Sequence, residues 1–246
     1  MMSSRTSEFH ARKDLILAIT IEQYIKSVTP VSSALISNEY PLSVSSATIR
    51  NILAELEEEG YLTHPHTSAG RIPTQRGYRY YVDNLMNQIQ LLEGEKRRIK
   101  AEYEQQSMEL EGLLEKTSQV ISEETHYTSI ISVDGWGSKI YCSGTSSVVE
   151  YPETQDIEKI RNILKTLDEK EKLLELINCE LRKKVSIFIG QELRLQQMNS
   201  CSLIITSYKM KKGLSGRMAV LGPTRMNYSK VVSTLQYFTD LMEDFV

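Results

Sequence analysis

The chain has 246 residues, of which 40% are aliphatic, aromatic or cysteine and 25% are charged, and its 29 basic and 32 acidic side chains leave a net charge of −3. That composition excludes a disordered tail and leaves room for one large domain or two small ones, each with a core. So small a net charge also excludes binding a polyanion by bulk charge, so any nucleic-acid role has to come from a local patch.

Residues 10–27, HARKDLILAITIEQYIKS, place Leu15, Ile16, Ala18, Ile19, Tyr24 and Ile25 where one helical face can hold them. Pro30 ends that helix and opens a short second one, VSSALISNEY, which Pro41 stops. A third helix follows. Ser45 is its N-cap, Ile49, Ile52, Leu53 and Leu56 form its buried stripe, and Gly60 stands at its end, where positive φ is wanted. Next come a short strand, Tyr61 to Thr63, a loop containing Pro65, Gly70 and Pro73, and a fresh helix from Thr74 into Asp83. Three short helices, a strand and a basic loop are the order of a winged helix-turn-helix, so residues 1–83 are read as a DNA-binding domain.

Residues 84–122 are helix formers with thin, irregular apolar positions, and predict a long, mostly solvated connector that can pair with a second copy. From Tyr127 on, strand and helix signals alternate. Tyr127–Val133 and Lys139–Ser143 are strands joined by a tight DGWG turn, and Asp156–Cys179 is one helix with the stripe Ile157, Ile160, Ile163, Leu164 and Leu167. Val185–Ile189, Cys201–Met210 and Arg217–Leu221 are strands, the last two joined through KKGLSG, and Val231–Val246 is a closing helix. Residues 123–246 therefore read as an α+β domain with an antiparallel sheet. In GPTRMNY, either Thr224 or Asn227 caps the closing helix, and Arg225 either docks a partner or, on the favoured reading, holds helix to sheet.

With the third helix's stripe turned inward, Ala47, Arg50, Asn51 and Ala54 point outward and Ser46 lies at the leading edge. Arginine can bond guanine O6 and N7, asparagine can bond adenine N6 and N7, and alanine lets the helix approach a thymine methyl. Ser45, Ser46 and Thr48 stand at the helix N-terminus, where hydroxyls and backbone N–H groups meet phosphates. From His64 to Tyr81 there are three arginines (Arg71, Arg76 and Arg79), two histidines and no acid, which suits phosphate or minor-groove contacts, while Glu55, Glu57, Glu58 and Glu59 cluster just before. The plainer alternative pairs Arg79 with that acid cluster. His64-Pro65-His66 lacks neighbouring ligands for a metal. Cys142, Cys179 and Cys201 are scattered and read as buried small hydrophobes in a reducing cytoplasm. The longest apolar run, Leu15 to Ile19, is far too short for a membrane span, and MMSSRTSEFHARKD contains no secretory h-region. No common catalytic template occurs, so neither an enzyme nor a bound cofactor is expected.

SVSSATIRNILAELEEEGYLTHPHTSAGRIPTQRGYRYYVD resembles the N-terminal domain of the HrcA family of heat-inducible transcription repressors, and CSLIITSYKMKKGLSGRMAVLGPTRMNYSKVV resembles that family's C-terminal block. KIYCSGTSSVVEYPETQDIEKIRNIL is similar to a family segment between them. The resemblance implies a winged-helix domain joined to a GAF-like domain. It also implies a cytoplasmic homodimer on an inverted-repeat operator (the CIRCE element) upstream of chaperone operons. A GroE-type chaperonin would modulate the repressor and be titrated away on heating. Thr48, Arg50 and Asn51, with Ser46 among them, fall on the family's S-x-x-T-I-R-N motif, and Arg71, Thr74 and Tyr78 fall on its G-R-I-P-T…G-Y wing. Family members carry a further domain's worth of residues as a dimerising insertion within the GAF-like domain. Here only DGWGSK separates the two strands concerned, so the connector helix or a sheet edge would have to serve. A small-molecule-responsive DNA-binding regulator acting through the GAF-like domain is the competing expectation.

Overall fold

The computed structural model describes residues 2–42, 44–65, 70–87, 91, 93–104, 110–136, 139–150, 157–178, 184–211 and 213–244. They form two compact units, Met1–Asn87 and Gln88–Val246.

The first unit runs α1 (Met2–Ser27), α2 (Ser33–Glu39), α3 (Ser46–Glu58), β1 (Leu62–Thr63), β2 (Ile72–Pro73) and α4 (Gln75–Tyr80), and closes on a single π-helical turn, Tyr81–Leu85. α1 stops just ahead of Val28, whose φ of 55° breaks the helix two residues before Pro30. The Ser32 hydroxyl accepts from Leu35 N at 3.2 Å and starts α2. Ile16, Leu17 and Ile21 of α1, Ile36 of α2 and Ile49, Ile52 and Leu56 of α3 make a shared core in which each is at most 2% exposed. β1 and β2 pair antiparallel, Leu62 with Pro73 and Thr63 with Ile72, so the basic loop is the tip of a hairpin whose second strand extends the expected one. A further bridge joins Val31 to Arg71 through two backbone hydrogen bonds of 2.8 and 2.9 Å. Gly70 permits that approach, because a Cβ there would lie 2.5 Å from the Val31 carbonyl carbon.

The second unit runs α5 (Glu93–Glu104), α6 (Leu110–Thr125), β3 (Thr128–Val133), β4 (Ile140–Ser143), α7 (Ile157–Asp168), α8 (Lys170–Ile177), β5 (Val185–Ile189), β6 (Cys201–Lys209), β7 (Ser215–Pro223) and α9 (Tyr228–Asp244). Its five strands form one antiparallel sheet in the order β4-β3-β7-β6-β5. Ile130, Leu203, Ile205, Ala219 and Leu221 cover one face and pack with Ile163, Leu167, Leu173 and Ile177 of α7 and α8. α6 and α9 pack on the other. There the contacts are partly polar. Ser202 and Tyr228 share a hydrogen bond of 2.9 Å, and the Tyr208 hydroxyl donates to Ser132 O at 3.0 Å past Gly216, where a Cβ would meet both groups.

Four expectations are corrected here. The connector over 84–122 is not one solvated helix: α5 is mostly exposed, as expected, but α6 is largely buried. Ile99 of α5 is 1% exposed, α6 buries Leu113, Leu114, Val120 and Ile121 together with Thr117, Ser118, Ser122 and Thr125, and the Tyr237 hydroxyl of α9 donates to Lys96 O at 2.9 Å. The small hydroxyl residues complete a packing face that a count of apolar positions misses. The helix expected over Asp156–Cys179 is broken at Glu169, with Asp156 and Cys179 themselves outside the described residues. In an unbroken helix Leu173 would sit about 240° around from Leu167, and the break returns it to the core. Ile157, placed on the buried stripe by periodicity, is 72% exposed. Cys142 is exposed on β4, whereas Cys201 is buried. At the closing helix, Asn227 is the cap, its side-chain carbonyl accepting from Lys230 N at 3.1 Å.

Gly77 of α4 faces the wing strand so closely that a Cβ would lie 2.2 Å from Tyr61 O. Replacing a helical glycine by alanine ordinarily stabilises by up to about 1 kcal/mol. Gly77→Ala is expected to destabilise instead, by about 1–3 kcal/mol, through overpacking. A thermal melt showing an unchanged or raised Tm would contradict this packing.

Candidate nucleic-acid interface

The third helix of the winged unit is set by its cap and its stripe. The Ser45 side chain accepts from Thr48 N at 3.2 Å, and the two hydroxyls lie 3.0 Å apart. With Ile49, Ile52, Leu53 and Leu56 buried, Ala47, Arg50 and Asn51 are exposed and Ser46, Thr48 and Ala54 are half-buried. The Ser46 hydroxyl turns toward Ser33 of α2 at 3.4 Å. Arg50 and Asn51 make no hydrogen bond or ion pair with the described residues, so their donors remain available to a ligand. A helix face with a solvent-facing arginine and asparagine beside alanine has the donors that base edges of a major groove accept.

Three of the four acids at the far end of α3 are turned to internal use, while Glu58 stays exposed. Lys13 of α1 reaches Glu55 at 3.3 Å and Glu59 at 2.5 Å. Burial acts to lower the pKa of that ammonium, but the hydrogen bonds and charges of Glu59 and Glu55 outweigh it and leave the pKa raised. Glu57 is bracketed from the wing: Arg71 Nε lies 2.7 Å from its Oε2, and His64 Nδ1 pairs with its Oε1. Three carboxylates that would repel phosphates are thereby offset, and both strands of the wing hairpin are held to α3. The pairing with the acid cluster considered for Arg79 is made by Arg71, while Arg79 meets Asp83 at 3.3 Å.

The remaining wing residues divide. Arg76 is exposed, with its guanidinium 4.8 Å from the centroid of the Tyr61 ring, a cation–π contact that helps hold the charge in place. Thr74 caps α4, accepting from Gly77 N at 3.1 Å, and its hydroxyl lies 2.7 Å from Gly60 O. Tyr78 is 3% exposed, so the expectation that it touches DNA is corrected: its ring belongs to the core. The wing tip, residues 66–69, lies outside the described residues, as does His66 of the histidine pair. Sequence reasoning missed Glu57 and Lys13 as partners of the interface. The signal available was the separation of acid and base into adjacent blocks, which places opposite charges within reach once the hairpin folds back.

A helix-turn-helix with a wing, joined to an α+β unit built on an antiparallel sheet, defines the class: a winged-helix transcription regulator. The family model for the HrcA protein C terminal domain matches residues 96–232. This chain belongs to the HrcA family. Proteins named heat-inducible transcription repressor HrcA are similar along most of their length. The one from Symbiobacterium thermophilum is 29% identical, covering 91% of this chain and 95% of the relative, and the one from Moorella thermoacetica is 28% identical, covering 94% and 96%. Family membership sets the chain among transcription repressors rather than enzymes. The first alignment spans 323 positions against 246 residues here, so at least 77 positions of that relative face gaps. Among solved structures, a crystal structure described as a hypothetical protein at 2.2 Å resolution shares the fold, with a TM-score of 0.72 and 18% identity over 95% of this chain and 96% of that one.

Arg50→Ala and Asn51→Ala are each expected to cost about 1–3 kcal/mol of duplex binding and to relax base preference. Arg76→Ala should weaken all duplexes alike and flatten the salt dependence by about one phosphate contact. Fluorescence anisotropy on a target and a random duplex at several salt concentrations separates the two. Equal losses on both duplexes for Arg50→Ala would remove the base-reading role.

Proposed function

We propose that this chain is a cytoplasmic repressor of heat-shock chaperone operons that binds an inverted-repeat operator of the CIRCE type as a homodimer. The observation that carries the reading is the exposed Ala47–Arg50–Asn51 face of α3, without protein partners among the described residues and with the neighbouring acids offset by Lys13, Arg71 and His64. Ser45, Ser46 and Thr48 at the helix N-terminus and Arg76 on the wing supply phosphate contacts, and Arg50 and Asn51 read bases. Arg71 acts by holding the wing to α3. A two-fold operator calls for two copies of α3 one helical turn apart or a multiple of it. The homodimer forms without the positions that the relatives carry in addition. The GroE-type chaperonin as modulator rests on the family resemblance. Among the described residues no helix is long and apolar enough to cross a membrane. A small-molecule role through the GAF-like unit draws no support from its sheet: the face toward α7 and α8 is filled by the apolar cluster around Ile130, Leu203 and Leu221.

Anisotropy titrations with a full inverted repeat, a single half-site and a scrambled duplex test the reading, with and without chaperonin. Tight binding to the full repeat, much weaker binding to the half-site and tighter repeat binding with chaperonin are expected. Equal binding to all three would overturn the operator reading, and a monomer in sedimentation at micromolar concentration would overturn the dimer.

A further inference from the structure

Among the acids of the first unit, Asp14 and Glu22 differ from those of α3. Both are half-buried on α1 and both line one open groove with a volume of about 510 Å³. The Tyr80 hydroxyl donates to Asp14 at 2.9 Å, and the Tyr81 hydroxyl donates to Glu22 at 3.2 Å. Burial, and then the Glu22 carboxylate, push the Tyr81 phenol well above its ordinary range, so Tyr81 stays a donor. Neither carboxylate has a cationic partner among the described residues, whereas Glu55, Glu57 and Glu59 all do. Between the two acids the groove is largely apolar, with Tyr40, Asn84 and Asn87 also lining it. Leu15, Ala18 and Ile19 of α1 form one wall, and Pro41, Leu42 and Leu85 stand opposite. Leu15 is 48% exposed, one of the few large apolar side chains among the described residues left so open.

We propose that this groove binds a small lipophilic cation. The volume lies within the range of small-molecule sites, the walls bury an apolar body, and the two uncompensated carboxylates supply the counter-charge for a positive centre that cannot be strongly hydrated. A second copy of the chain is the poorer occupant. Antiparallel packing of two α1 helices about Ala18 sets Asp14 against the second copy's Glu22, and parallel packing sets each acid beside its own counterpart, so like charges meet either way. The groove joins α1, the segment after α2 and the residues after α4, so its occupant braces the elements that hold α3.

Tetraphenylphosphonium and tetraphenylborate have the same shape and opposite charge, and calorimetric titration of the full chain with each tests the proposal without DNA. Saturable one-to-one binding of the cation is expected, with the anion at least about tenfold weaker. Asp14→Asn combined with Glu22→Gln, which keeps an acceptor for each tyrosine, should weaken the cation by about tenfold or more. Ala18→Trp, which fills the groove without changing charge, should abolish the site; circular dichroism and a cooperative thermal melt confirm that each variant is folded. Absence of saturable binding, or equal cation binding by the wild type and either folded variant, would overturn the proposal. Because the readout is ion binding, its failure leaves the operator reading standing, and failure of the operator reading leaves it standing.

Discussion

The packing of the wing hairpin against α3 turns on Glu57. It stands on the solvent side of α3, four residues beyond the buried Leu53, and it receives Arg71 from one strand of the wing hairpin and His64 from the end of the other. Glu57 and Arg71 are each 23% exposed, which is sheltered enough for the pair to outlast the screening that makes exposed ion pairs nearly worthless. The backbone carries the same connection further. Arg71 bridges to Val31, Gly70 allows the approach, and Val31 leads directly into α2. Helix, wing and turn are thus one body before any ligand arrives, and preorganisation of that kind lowers the entropic cost of binding.

The same contacts sort the charge. A unit with almost equal acid and base has to present its bases and withdraw its acids if it is to meet a polyanion. Lys13 and the wing do this for α3, leaving the Arg50–Asn51 face outward. Asp14 and Glu22 are turned away from that solution and toward an apolar groove instead. In the second unit the sheet is closed on both faces, by an apolar layer under α7 and α8 and by a layer rich in hydroxyls under α6 and α9. Hydroxyl pairs such as Ser202–Tyr228 need defined partners, so they fix the register of α9 on the sheet as well as its burial.

Much of this was legible in the sequence, and the reasons differ by element. α3 announced itself through Ser45, the i, i+3, i+4, i+7 stripe and Gly60, because capping and periodicity are local. β3, β5 and β6 were legible as β-branched runs. The break at Glu169 was not, since it answers to where Leu173 must land on a distant sheet. α6 was read as solvated because Thr117, Ser118 and Ser122 look polar in sequence, yet they are buried where their hydroxyls or small size suit a close helix–sheet contact. At the interface, the outward face of α3 followed from helical geometry. Tyr78 and Thr74 share a motif with Arg71, and motif membership does not say which side of a short helix faces the core. The partner of Arg71 was invisible because an ion pair between wing and helix depends on how the hairpin folds back onto α3, which only the folded wing settles.

On the proposed reading, Arg71 acts through Glu57, holding wing to helix, and not as an independent phosphate contact. A double-mutant cycle on operator affinity tests it most directly, with Glu57→Ala, Arg71→Ala and the combined variant measured by anisotropy at fixed salt. Strong coupling is expected, the double variant binding about as well as either single one. Additive losses, with Arg71→Ala alone also reducing the salt slope, would contradict it.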